Sequence, residues 1–428
     1  MTTTYAGQQN GVVEKKDIVI ITDFEEGHFY PLFRIARNFE EAGYSTCFVS
    51  ILDTLEIIEK NGFQCIPIFK KVFPRGYVKS LKDNGISTES ISPNLYMQSL
   101  LEELDAFMPL VQPKIVLTSY FFSLGTLIIH YKYRVQQITF HTLFPPLSSK
   151  SDTSLRQCSA NHAIRTFMEL NGPLAGFFMS FFENNNKTFK SLEDMLAPFQ
   201  EIPQIMLCPK QLNIENSVPA ENEIYLGPCI SPNNNIQKVF LQEVLERKGH
   251  RKLIYVSMGS QTKEYPKKAE KLFNMMLGAM KSINLKDFHL ILSLGSDIEN
   301  WDLVELPENA DVFSWVPQLD ILKLTSIAII HGGLGSIKEC IHSGVPMLIV
   351  PMGRDQADNA ERIEYHQIGY SISFDTITKE IIAEKLIELF ENQDRKGNLV
   401  QMQRIFEEIE NQKNEVKLVR GIIGEKTD

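Results

Sequence analysis

Residues 313–360 read FSWVPQLDILKLTSIAIIHGGLGSIKECIHSGVPMLIVPMGRDQADNA, and the alternation inside this run decides the fold. After a helix-like Gln318–Leu324, the β-branched apolar run Ile327–Ile330 has the composition of a buried strand. It ends in His331 and gives way to Gly332, Gly333 and Gly335, beyond which Ile337, Cys340 and Ile341 recur at helical spacing. The pattern is strand, glycine turn, helix. Glycines let the backbone approach a ligand closely, and a helix start presents unpaired N–H groups with a partial positive charge; together they suit a phosphate or diphosphate. Ser336 adds a hydroxyl at this turn and His331 a donor. The next strand, Met347–Val350, leads through Pro351-Met352-Gly353 to Asp355 and Gln356, at the carboxyl edge of a sheet where open α/β folds bind ligands.

Two nucleotide fingerprints compete for the glycine turn, and both fail. Gly333 and Gly335 supply two positions of G-x-G-x-x-G, but the third falls on Lys338, and no G-x-x-x-x-G-K-[ST] loop occurs in the chain. Neither hydride transfer nor ATP hydrolysis is favoured. The plain alternative, a tight βα connection without a ligand, loses ground to the neighbours. Trp315 in its loop before Pro317 offers a flat face for a base, and Gln318 can read an amide edge. Glu339, three residues past Ser336, shares its helix face and has two oxygens for a pair of ribose hydroxyls. Asp355 and Gln356, a carboxylate beside an amide, suit sugar hydroxyls; the competing role for Asp355 is a helix cap.

The chain begins a fold twice. Ile18–Ile21 and Lys252–Val256 are β-branched strands behind basic flanks, each followed by alternating helix and strand patterns, which implies two parallel, doubly wound sheets. The expected boundaries are an amino-terminal domain over 1–228, a carboxy-terminal domain over 236–403 and a closing helix in 404–428, with the seam in the breaker-rich Gly227–Asn235. After the first strand, Asp23–Gly27 is a polar turn that leads to His28. The following helix carries Phe29, Leu32, Phe33, Ala36 and Phe39 at helical spacing.

The ordered segment Trp315–Asn359 resembles the donor-binding signature of the family 1 glycosyltransferases, the UDP-glycosyltransferase superfamily. The resemblance implies a GT-B fold: α/β, two facing Rossmann-like doubly wound parallel-sheet domains, with a last helix crossing back, a role open to Arg404–Arg420. It implies that Trp315 stacks on uracil, that Gln318 lines the base with Val316 beside it, and that His331, Gly333, Gly335 and Ser336 meet the diphosphate. Glu339 would take the ribose, and Asp355 and Gln356 the sugar. Ser257, Gly259 and Ser260, in Val-Ser-Met-Gly-Ser, resemble the family's other donor-side loop. Gly333-Leu334-Gly335 stands where plant members carry Cys-Gly-Trp-Asn, closer to bacterial and animal relatives.

Gly27-His28-Phe29-Tyr30-Pro31 resembles the family's Gly-His-x-x-Pro, whose histidine removes the acceptor's proton, as a neutral imidazole can. The family backs it with an aspartate after a strand resembling Lys114–Leu117. Here that place reads Leu117-Thr118-Ser119, with no carboxylate. Thr118 or Ser119 can hold the ring by a hydrogen bond, and Asp23, Glu25 or Glu26 can substitute from the first loop; the sequence leaves these open.

The implied reaction is a single displacement on a UDP-sugar, with glucose favoured by Gln356, and a β-glycoside as product. It needs no cofactor and no metal, because the helix start takes up the leaving charge, and no Asp-x-Asp motif stands out. The aromatic stretches Phe69–Tyr77, His141–Pro146 and Gly176–Phe182 suggest a small lipophilic or aromatic acceptor, against the alternative that the Phe runs are buried helix faces. A UDP-sugar epimerase of the same architecture and a nucleotide-sugar-binding protein without turnover are the alternatives.

Composition bounds these readings. The chain has 428 residues, 43% of them hydrophobic and 22% charged, ordinary for a globular protein, and a formal charge of −10 that disfavours a nucleic-acid partner. Cys47, Cys65, Cys158, Cys208, Cys229 and Cys340 form no C-x-x-C pair, which reads as reduced thiols in a cytoplasmic protein. Met1–Lys16 lacks the apolar core of a signal peptide, and windows such as Phe121–Ile129 fall short of the ~18 residues of a membrane span.

Overall fold

The computed structural model describes residues 14–84, 93–145, 147, 164, 167–168, 171–214, 221–231, 238–259, 262, 265–281, 285–295 and 301–425. They fall into two units. The first is drawn from Met1–Leu207, Val218–Cys229 and Lys413–Asp428, the second from Cys208–Ser217 and Ile230–Gln412. The chain thus changes unit at Cys229–Ile230, within Gly227–Asn235, of which 232–235 lie outside the described residues.

The first unit holds β1 (Ile18–Ile21), β2 (Thr46–Ser50), β3 (Cys65–Pro67), β4 (Ile115–Ser119), β5 (Gln136–His141), β6 (Gln204–Met206) and β7 (Glu223–Tyr225). The second holds β8 (Lys252–Ser257), β9 (Phe288–Ser293), β10 (Ala310–Phe313), β11 (Thr325–Ile330), β12 (Met347–Ile349) and β13 (Gly369–Ser371). Among the described residues the first sheet runs β3-β2-β1-β4-β5-β6-β7 and the second β10-β9-β8-β11-β12-β13. Every pairing is parallel.

The two orders are the same doubly wound pattern, reversing direction between the first and fourth strands of each sheet. In such sheets the loops beyond the reversal diverge and leave a crevice for ligands. The residues placed there are those after β1 and β4 in one unit, where Ile21 pairs with Thr118, and after β8 and β11 in the other, where Ile330 pairs with Ser257. Strands of this kind are covered by helices on both faces, which is why Ile18–Ile21 and Ile327–Ile330 read as unbroken apolar runs and are buried throughout.

The helix Glu26–Glu41 buries Phe29, Leu32, Phe33, Ala36 and Phe39 against the first sheet, at about 1.5–3 kcal/mol for each large side chain. The run Arg404–Arg420 is two helices, Gln393–Asn411 and Asn414–Ile423, separated at Lys413, whose φ of 46° interrupts the helix. The second of these belongs to the first unit, where Val416 and Val419 join the core beneath Glu26–Glu41 and Asn38 donates to Glu415. Cys47, Cys65, Cys208, Cys229 and Cys340 are buried and form no disulfide; Cys158 lies outside the described residues. No helix among the described residues is long and apolar enough to cross a membrane.

The aromatic stretches are largely core. Phe69, Phe178 and Phe182 are buried, and Phe73, Phe177, Met179 and Phe181 pack against the same cluster. Their apolar area is spent inside the first unit, so those runs offer little open surface to an acceptor. Pro146 lies outside the described residues.

Candidate functional site

In the first unit the site is built on the β1 turn. Asp23 follows β1, and one of its carboxylate oxygens accepts the backbone N–H of Glu25 at 2.9 Å, closing the turn from which the helix Glu26–Glu41 starts. His28 stands in the first turn of that helix, with its Nδ1 at 2.9 and 3.0 Å from the two oxygens of Asp23. Ser119, the last residue of β4, donates its hydroxyl to Asp23 at 3.1 Å and accepts the N–H of Phe121 at 3.3 Å.

Asp23 is therefore the partner of the imidazole. Neither Glu25 nor Glu26 hydrogen-bonds to it. Thr118 does not reach it either, because its hydroxyl accepts from Thr126 at 2.8 Å in the interior. Strand β4 extends through Thr118 and Ser119, and successive strand residues face opposite sides. That alternation separates the two hydroxyls and turns only Ser119 toward the β1 loop.

The carboxylate can only accept, so the proton between it and His28 sits on Nδ1, and the lone pair of the neutral ring sits on Nε2. Nε2 has no hydrogen-bond partner among the described residues. The ring is walled by aromatics: Phe121 stacks on it at 4.7 Å between centroids, and Tyr120 meets it edge-on at 5.9 Å. Phe121 and Tyr30 remain exposed at 40% and 43%.

In the second unit the residues expected to bind a donor meet at the β8 and β11 ends. The helix Leu334–His342 starts after Gly333 without a side-chain cap, and its first backbone bond runs from Ile337 to Gly333. The N–H groups of Leu334, Gly335 and Ser336 precede that bond and are left for a ligand. A Cβ on Gly335 would meet nothing within 4 Å, so the first turn of the helix borders open space at that residue.

The other glycines have a different reason. Cβ atoms on Gly259 and Gly333 would collide with the His331 ring, which lies between the two loops, and one on Gly332 would stand 3.0 Å from the carbonyl of Gln356. Gly259 and Gly332 also hold φ of 71° and 95°. Gly259→Ala is expected to cost about 1–3 kcal/mol and to weaken UDP binding with it. Thermal unfolding and calorimetry check this; an unchanged Tm with intact UDP affinity would show that the loop has room.

Met258, Thr262, Tyr265, Met352 and Gln356 close round the remaining side of His331. Burial brings its imidazole down to about 4, so the ring is neutral near pH 7 and contributes polar atoms and no charge. Its Nδ1 has no partner among the described residues.

Trp315 is 63% exposed, with no ring contact among the described residues, whereas Val316 beside it is buried. Gln318 donates to Glu339 at 2.5 Å and to Ser336 at 3.2 Å. Burial pushes the Glu339 carboxyl up to about 7 against the lowering effect of that hydrogen bond. Asp355 is likewise raised by burial, and Asn359 offsets this by donating to it at 2.7 Å. Gln356 spends its side-chain oxygen on the N–H groups of Met352 and Gly353, at 2.7 and 3.1 Å, which leaves its Nε2 for a ligand. Ser257 accepts from the N–H of Gly259 at 3.2 Å, and Ser260 lies outside the described residues.

Sequence reasoning passed over two contributors here. Asn359 also donates to the carbonyl of Gly332 at 3.0 Å and so ties the glycine turn to Asp355; its signal is the four-residue helical spacing from Asp355. Tyr255, under Gln318 on β8, gives no signal, because a tyrosine in a buried strand reads as core.

Residues 204–411 match the family of UDP-glucoronosyl and UDP-glucosyl transferases. The chain is 28% identical to the uncharacterized UDP-glucosyltransferase YdhE of Bacillus subtilis over 42% of this chain and 44% of that protein. It is 22% identical to the NDP-glycosyltransferase YjiC of Bacillus licheniformis over 83% and 84%. With YdhE and two further Bacillus subtilis relatives, the chain spans 40–54% of the relative's length, about half. In structure it resembles the glycotransferase of kitacinnamycin, with a TM-score of 0.70 and 18% identity over 96% of this chain and 99% of that one. Two sheets of one winding order, a glycine turn that opens a helix after β11, and these likenesses converge: the chain has the GT-B fold, and its residues 204–411 match the UDP-glucoronosyl and UDP-glucosyl transferase family.

Proposed function

We propose that this chain is an inverting UDP-sugar-dependent glycosyltransferase that moves a hexose, glucose before others, to a hydroxyl of a small lipophilic or aromatic acceptor. The observation that carries it is the His28 imidazole, held at Nδ1 by Asp23 with Nε2 unpartnered, in a chain whose other unit presents an uncapped helix start behind a glycine turn. A base without a donor site, or a donor site without a base, would point elsewhere.

In the proposed step Nε2 of His28 takes the acceptor's hydroxyl proton while the oxygen forms a bond to the anomeric carbon of an α-linked UDP-sugar. The bond from that carbon to the diphosphate breaks, and UDP leaves with the electron pair. Attack from the opposite face gives the β-glycoside. The imidazolium left behind is offset by Asp23, as a triad acid offsets its histidine. The charge gathering on the diphosphate is met by the N–H groups of Leu334, Gly335 and Ser336, by the helix dipole and by the Ser336 hydroxyl, so the step calls for no divalent cation. Trp315 stacks on the uracil, Glu339 accepts from the ribose, and Asp355 with the Nε2 of Gln356 holds the hexose hydroxyls.

The name of the Bacillus subtilis relative, a UDP-glucosyltransferase, supports glucose. The aromatic lining of His28 supports the acceptor class: exposed Phe121, stacked on the base itself, offers an apolar face where the hydroxyl must arrive. Incubation with UDP-glucose and a panel of phenols, carotenoids and sterols, read by mass spectrometry and by the anomeric proton coupling, is expected to give a β-glucoside at a rate unchanged by a chelator. An α-linked product refutes the single displacement. Consumption of UDP-glucose without acceptor refutes the transferase reading in favour of an epimerase.

A further inference from the structure

Tyr255 lies in β8, 1% exposed, and takes no part in the chemistry above. Its hydroxyl donates to Oε1 of Gln318 at 3.1 Å. That bond decides which way the amide faces: with its oxygen held by the phenol, Nε2 points at Oε2 of Glu339, 2.5 Å away, and at the hydroxyl of Ser336, 3.2 Å away. With Glu339 ionised, as it is above pH ~7, an amide turned over would set its oxygen against the carboxylate, an acceptor facing an acceptor. Burial raises the phenol above its ordinary range, so it remains a donor throughout the neutral region. Glu339 is thus held through one oxygen by a donor that is itself held from below. Its Oε1 has no partner among the described residues.

We infer that Tyr255, acting through Gln318, fixes Glu339 as the acceptor for the 2′,3′-diol of a ribose, and is thereby a positioning residue that selects ribonucleotide over 2′-deoxyribonucleotide diphosphates. This rests on the reading of Glu339 as the ribose contact. A pair of vicinal hydroxyls needs a carboxylate in one orientation; a deoxyribose offers a single hydroxyl and gains less from that orientation. A site built to accept from a hydroxyl discriminates against the ligand that lacks it, because the site's polar group is then left unpaired.

The test measures dissociation constants of UDP and dUDP by calorimetry for the full chain and for Tyr255→Phe, which keeps the ring and removes one hydroxyl. The unaltered protein is expected to favour UDP by about tenfold or more. Tyr255→Phe should narrow that to about threefold, through weaker UDP binding, with dUDP affinity within about twofold of its starting value. Gln318→Met should narrow the preference equally, and the double variant no further, because both act through one chain of contacts.

A preference unaltered in Tyr255→Phe overturns the role of Tyr255, as does an equal loss for UDP and dUDP, which a merely loosened strand would produce. Glu339→Gln separates the two layers. If it also leaves the preference intact, the ribose assignment of Glu339 fails and the inference falls with it; if it abolishes the preference while Tyr255→Phe does not, the assignment stands and only the role of Tyr255 is lost.

Discussion

His28→Ala is expected to lower kcat by about 10²–10⁴-fold, the usual contribution of a positioned general base, while the affinity for UDP stays as it was. The first half follows from geometry: Nε2 carries the lone pair of the neutral ring and has no hydrogen-bond partner among the described residues. The second half follows from the division of labour, since every residue assigned to UDP lies in the unit built on the second sheet. Steady-state rates on a matched acceptor, together with UDP calorimetry, check both. A rate within about tenfold of the starting value would remove His28 from the mechanism. A chain that turns nothing over even with His28 in place, yet binds UDP, would be a binding protein.

Asp23→Asn should cost nearly as much, about 10²-fold or more in kcat, with little change in the acceptor's KM. The asparagine fits the same space, but its N–H₂ can face Nδ1 of His28. The ring would then accept at Nδ1, carry its proton on Nε2 and offer no lone pair to the acceptor, and the imidazolium would lose its countercharge. His28→Ala combined with Asp23→Asn should be no slower than His28→Ala alone, because the acid acts only through the ring. Ser119→Ala, which leaves Asp23 its bonds to Glu25 and His28, should cost about tenfold or less. An Asp23→Asn protein of full activity would mean that the 2.9 Å contact orients nothing that matters to turnover.

Two kinds of information were unequally legible in the chain. The strands β1, β8 and β11, the helices that follow them and the glycine turn at 332–335 could be read directly, because burial on both faces leaves continuous apolar runs and helices leave a period of three to four. The glycines were visible, but not what each is for. Gly335 borders open space as a ligand would require, whereas Gly259 and Gly333 make room for the His331 ring, a packing demand that depends on two loops from different strands. The Phe-rich helix Ala175–Asn184 shows the reverse: its aromatic side chains read equally as surface for an acceptor or as core, and only the packing shows them in or against the core, because hydrophobicity marks what avoids water without saying whether protein or ligand removes the water.

By itself the sequence determined the architecture class, the order of the strands and helices around β1, β8 and β11, and the places of the glycine turn and of the histidine at the first helix start, all properties that local periodicity and short motifs encode. The tertiary structure alone decided which acid serves His28. Thr118, Ser119, Asp23, Glu25 and Glu26 were equal candidates on paper, and the parallel pairing of β1 with β4 brings Ser119 and Asp23 to one point while turning Thr118 toward Thr126. A hydrogen bond between residues 96 positions apart has no local signature, since it depends on strand register and on the two-residue alternation of side chains, and neither exists until the sheet has formed.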